Sequence, residues 1–139
     1  MSRSRTSLWL AYEAMCESNQ HWYVRYAETW TADRSEARRC VQAALDAVEP
    51  QWTTALGTVS PAAWVWRGLR AKAEQHPAAK GSSAGRIHSL LPSDQADILL
   101  LHHELHLPLA GAARLMGLAG PEALALLRGA ERRLADGGN

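Results

Sequence analysis

The sequence has no phenylalanine and only two isoleucines, Ile87 and Ile98. Its two cysteines, Cys16 and Cys40, are too few to frame a small disulfide scaffold, and they read as reduced thiols of a cytoplasmic protein. No apolar run approaches the roughly 18 residues of a membrane span, so a membrane is not expected among its partners. Residues Met1 to Arg5 lack the apolar stretch of a secretory leader. An excess of one sign of charge is missing as well. Fifteen Lys and Arg stand against fourteen Asp and Glu, a net charge of +1. Residues 1–80 hold ten basic and eight acidic side chains, and residues 81–139 hold five and six. Neither part is the strongly basic object that an autonomous nucleic-acid binder usually is. No nucleophile–base pairing, phosphate loop or paired carboxylate set stands out. The segment Gly81-Ser82-Ser83-Ala84-Gly85 lacks both the lysine and the flanking strand of a phosphate loop. The chain therefore reads as a non-enzyme without a cofactor.

What is present favours helices. Apolar residues make up 47% of 139 residues, enough for a packed core, and Ala and Leu, which lead the helix scale, are abundant. An all-α fold is expected. Ser7 marks a first helix to about Glu17, and Trp22, Tyr23, Tyr26, Ala27 and Trp30 form the stripe of a second. A third begins near Ser35, after a turn at Asp33, with Ala37, Val41, Ala44 and Val48 inward, and stops at Pro50. A fourth has Ser60 as N-cap and Pro61 at its first position, with Ala62, Val65, Trp66, Leu69 and Ala73 inward. Pro77, Gly81, Ser82, Ser83 and Gly85 then show no apolar period, and residues 78–89 read as a flexible linker. Beyond it, one helix is expected from Ser93 to His106 with Ile98, Leu101 and Leu105 inward. A short one follows over Leu109–Met116, and a last one from Pro121 buries Ala123, Leu127, Ala130 and Leu134.

The stretch Leu109–Leu127 has the pattern of a helix-turn-helix: a small residue at Ala113, a turn glycine at Gly117, and apolar residues at Ala112, Met116, Leu118, Ala123 and Leu126. The same pattern also fits an ordinary helical hairpin with a glycine turn. His102 and His106, four apart, are the one pair placed to share a metal. Leu107 stands where the zinc-protease motif needs its second histidine, and a structural role is the favoured reading. The tryptophans of the helical stripes read first as core and second as a stacking platform for splayed bases.

The order of these segments resembles an extracytoplasmic-function (ECF) sigma factor. The likeness lies in Tyr23-Val24-Arg25-Tyr26-Ala27, Thr31 to Ala37, Val41-Gln42-Ala43-Ala44-Leu45, and Ser60-Pro61-Ala62-Ala63-Trp64-Val65-Trp66-Arg67. It resumes at Leu91-Pro92 and Gln95, continues through Leu99-Leu100-Leu101, and runs from Ala112 to Gly117 and on to Ala130 and Leu134. The resemblance implies a helical domain like sigma region 2 over residues 1–77 and a helix-turn-helix domain like region 4 over 90–139. It implies RNA polymerase core as partner, with the first domain at the downstream promoter element and the last helix in the major groove of the upstream one. An anti-sigma regulator is an alternative partner.

Three surfaces depart from that pattern. Arg38, Arg39 and Ala43 stand where acidic residues would face polymerase, with Gln42 beside them. Trp64, Trp66, Arg67 and Arg70, candidates for promoter contact or for the core, are followed by no asparagine and no arginine pair. The first two turns of the last helix offer no side-chain donor, although groove-reading helices need them. Its outward face is Leu124, Ala125, Arg128 and Arg132, a face suited to protein contact. The expectation is a divergent sigma-like protein that works mainly through protein contacts, with weak promoter binding at most. An active ECF sigma factor and a small helical ligand- or metal-binding protein are the alternatives.

Overall fold

The computed structural model describes residues 3–137, and they form helices and turns with no β-strand among the described residues. Helix α1 spans Arg3–Thr31, α2 Arg34–Val48, α3 Trp52–Leu56 and α4 Pro61–Glu74. Then come α5 over Ser83–Leu90, α6 over Ser93–Leu99, α7 over Leu109–Met116 and α8 over Gly120–Gly137.

The two N-terminal helices expected from the sequence are one. No glycine or proline interrupts residues 3–31, and the two polar residues at the expected gap bond within the helix. Ser18 Oγ donates to Ala14 O at 2.8 Å and Asn19 Nδ2 to Met15 O at 3.1 Å, so neither competes with the ladder. The helix stops at Ala32, in the left-handed region at φ 60°. Asp33 then caps α2, its carboxylate accepting from the backbone of Ser35 and Glu36. Ser60 caps α4 as its position before Pro61 predicts, accepting from Ala63 N at 3.1 Å. The short helix α3 is an element the sequence reading lacked; it follows a 3-10 turn at Glu49–Gln51 that holds Pro50.

Residues 78–89, expected as a flexible linker, fold into a 3-10 turn at Ala79–Gly81 and most of α5. Ser82 Oγ caps that helix by accepting from Gly85 N at 2.9 Å, and Ala79 and Ala84 are buried. The glycines and serines there serve a tight turn and a cap. The expected helix to His106 also changes. After Leu99 it widens into a π-turn over Leu100–Glu104 and stops there, two residues short of His106, whose φ of 59° is not helical.

One buried cluster runs through both halves of the chain. It joins Tyr23, Tyr26 and Trp30 of α1 and Val65, Trp66 and Leu69 of α4 to Ile98 of α6, Met116 of α7 and Leu127 of α8. The expected stripes of α2, α4 and α8 supply it, with Ala62 and Leu134 only half buried at its margin.

Candidate functional site

Where the halves meet, the core contains a charge. Asp97 of α6 is fully buried. Its Oδ1 accepts from the Tyr26 hydroxyl at 2.6 Å and lies 2.8 Å from His88 Nε2. Its Oδ2 accepts from Trp66 Nε1 and from Arg70 Nη1, each at 2.9 Å. Four partners match the lone-pair capacity of a carboxylate, which is what a buried charge requires. They come from α1, α4 and α5, so one side chain ties four helices. Burial, reinforced by the Asp97 charge and hydrogen bond, pushes the Tyr26 phenol well above its ordinary range and keeps it a donor. Burial by itself would lower the Arg70 guanidinium; the hydrogen bond to Asp94 and the charge of Asp97 outweigh it and raise it. The His88 ring also packs on Trp30, with ring centroids 4.7 Å apart.

A second tie lies at the turn after α7. Gly117 sits at φ 72°, and a Cβ there would come within 2.2 Å of Ala63 N. The Ser60 hydroxyl that caps α4 also donates to Gly117 O, at 2.9 Å. The turn between α7 and α8 is thus seated on the first turn of α4.

Helix α8 lies with Ala123, Leu127 and Ala130 against the core and the opposite face open. Leu124, at 37% exposure, Ala125, Arg128 and Arg132 all lie on that open face. The helix begins with Gly120, Pro121 and Glu122, and the Glu122 carboxylate accepts from Ala119 N at 3.1 Å. A carboxylate thus occupies the helix start, where the backbone would otherwise receive an anion.

The other singled-out residues divide. Arg38, Arg39 and Gln42 are exposed on α2, but Arg39 is bound to Glu36, and Gln42 donates to Asp46 at 2.8 Å. Trp66 and Arg70, candidates for promoter contact or core, belong to the Asp97 junction. Trp64 is half buried and Arg67 exposed, and both line a groove between α2 and α4. His102 and His106 do not share a helix face, because the π-turn and the backbone of His106 intervene. His102 Nδ1 lies 2.9 Å from Leu107 O. Among the described residues, no three His, Cys, Asp or Glu side chains are grouped so as to hold a metal ion. Among them, too, no helix is long and apolar enough to cross a membrane.

The sequence reading missed the roles of Asp97, Tyr26 and His88. One signal was available: Asp97 is the lone charge between Ala96 and Ile98-Leu99-Leu100-Leu101, four residues before inward Leu101. A charge on an apolar helix face needs partners.

The class these observations define is an all-α protein closed around one core, with a buried carboxylate at the junction of its halves. Compared with protein-family models, with curated proteins and with solved structures, the chain matches none.

Proposed function

We propose that the chain is a sigma-factor-like protein of transcription initiation or its control that acts mainly by contact with other proteins. The observation that carries this reading is the open face of α8. The last helix packs inward through Ala123, Leu127 and Ala130, its outward residues begin with Leu124 and Ala125, and its start holds Glu122. Bidentate base contacts are worth about 1–3 kcal/mol each, and the first two turns of α8 supply none. An exposed leucine with Arg128 and Arg132 one and two turns further along the same face suits the centre and rim of a protein interface. The partner in this reading is RNA polymerase core or a regulator such as an anti-sigma factor.

The second reading, an active ECF sigma factor, draws support from Arg128 and Arg132. Both are exposed, and neither is in an ion pair among the described residues. One experiment separates the two. The protein is mixed with RNA polymerase core and promoter DNA, and complex formation and promoter opening are measured apart. Binding to polymerase without promoter opening, weakened by Leu124→Arg, is expected. Productive initiation would transfer the function to the second reading, and no complex with polymerase would remove polymerase as the partner.

A further inference from the structure

Helices α2 and α4 leave a furrow between them that the Asp97 junction and the α8 face do not use. Its main part encloses about 540 Å³. Small residues line it: Ala44 and Ala47 from α2, Gly68 and Ala71 from α4. Trp64 forms part of its wall. A Cβ on Gly68 would lie 3.4 Å from the Val48 side chain, so the missing side chain leaves a notch where the two helices approach. A second hollow of about 290 Å³ adjoins it, sharing Lys72 and Gln75 and adding Arg39. The furrow thus follows α2, whose 15 residues span about 22 Å at 1.5 Å per residue.

Its charge has one sign where it is free. Among the described residues, Arg67 and Lys72 are the only charged ones lining the main part. Neither is in an ion pair among the described residues, and both are exposed. In the smaller hollow Glu36 is held by Arg39 and His76. An occupant therefore needs an apolar ridge for the notch and carboxylates for two cations.

We infer that the α2–α4 furrow docks an acidic amphipathic helix of a partner protein. A leucine-sized side chain enters beside Trp64 over Gly68, and acidic residues on the same helix meet Arg67 and Lys72. A helix laid in a groove between helices is a recurring mode of recognition, read through side chains one turn apart. A nucleic acid fits less well. Its affinity comes from many phosphate contacts, and among the described residues only two free cations stand over a lining that is mainly apolar. The inference is independent of the α8 face.

The test uses the full chain and a fluorescein-labelled 18-residue helical peptide with leucine and glutamate on one face. Its counterpart has every glutamate replaced by lysine. Fluorescence anisotropy is expected to show binding of the acidic peptide, at least tenfold weaker with the lysine peptide and weaker again at high salt. Arg67→Glu with Lys72→Glu, both at exposed positions, should reduce binding at least tenfold. Ala71→Leu, also exposed, should reduce it by narrowing the furrow while the charge is kept. Leu124→Arg should leave it unchanged, which keeps this surface distinct from the α8 face. Failure of the acidic peptide to bind, or equal binding by the Ala71→Leu variant, would overturn the inference. So would tighter binding of a single-stranded oligonucleotide that competes with the peptide, which would make the furrow a nucleic-acid surface. Circular dichroism of each variant confirms that it is folded.

Discussion

The indole nitrogen of Trp66 donates to a carboxylate oxygen of Asp97, 31 residues further along the chain and 2.9 Å away. Through that bond α4, whose opposite side carries Trp64, Arg67, Gly68 and Ala71 along an exposed groove, is anchored to α6 in the second half. Because the same carboxylate receives Tyr26, Arg70 and His88, a change at one point should be felt by four helices.

Asp97→Asn should destabilise the protein by about 3–5 kcal/mol. The substitution turns one acceptor oxygen into an NH2 donor that faces the buried donors of Tyr26, Trp66 and His88, and it removes the charge paired with Arg70, which keeps only Asp94 and Glu74 at the surface. Urea denaturation followed by circular dichroism measures the change. A loss under 1 kcal/mol would show that the junction tolerates an uncharged centre.

The two tryptophans of α4 should differ sharply. Trp66 is 1% exposed, and Trp66→Ala should cost about 3–5 kcal/mol, the range for deleting a core aromatic. Trp64 is only half buried along the groove, so Trp64→Ala should cost roughly 1–2 kcal/mol. Melting curves of the two variants give the comparison directly. Equal losses would place both rings in the core.

Gly117→Ala should be costly and Gly120→Ala nearly silent. The first puts a side chain on a residue at φ 72° and within 2.2 Å of Ala63 N. The conformational part alone is worth about 1–2 kcal/mol, and the clash would move the turn off α4. A Cβ at Gly120 meets nothing within 4 Å. Hydrogen exchange at the first turn of α4 should rise in the first variant only.

Leu124→Arg should leave the melting temperature within the small change expected of a surface substitution, about 0.5 kcal/mol, while weakening partner binding. A large drop in melting temperature would mean that Leu124 supports the core despite its 37% exposure.

Stability should decline at high pH. Burial, with the nearby Cys16 thiol behind it, pushes the Tyr23 phenol from 10.0 up to about 12. Its proton is thus held more tightly in the folded chain than in the unfolded one. The stabilisation is complete below pH 10 and is lost as pH rises through about 12. Urea midpoints measured across that window should fall, and Tyr23→Phe should flatten the decline. A profile with the same slope in both proteins would assign the decline to other groups.

Where the structure agrees with the sequence reading, the signal is local. Asp33 and Ser60 each precede a helix with a side-chain oxygen that reaches the free backbone N–H groups. Gly117 follows α7 in the conformation a glycine adopts at least cost. The stripes of α2, α4 and α8 follow from 3.6-residue periodicity alone. The reading failed where the same residue types serve two purposes. Ser18 and Asn19 look like an interruption but bond to carbonyls one turn back. Glycine and serine over residues 81–85 have the composition of a linker, yet they make a turn and a cap against buried Ala79 and Ala84.

The sequence by itself determined that this chain is helical, where most of its helices begin, and that Leu124, Ala125, Arg128 and Arg132 lie outward on the last one. Each of these depends on neighbours within about four residues, a range over which backbone geometry is fixed. Only the tertiary structure decided that Asp97 is buried, that Arg70 and Trp66 turn inward to meet it, and that Trp64 and Arg67 remain at a groove. Those outcomes depend on side chains brought together from distant parts of the chain. The same tryptophan or arginine serves equally well inside or outside until the helices close and its partners arrive.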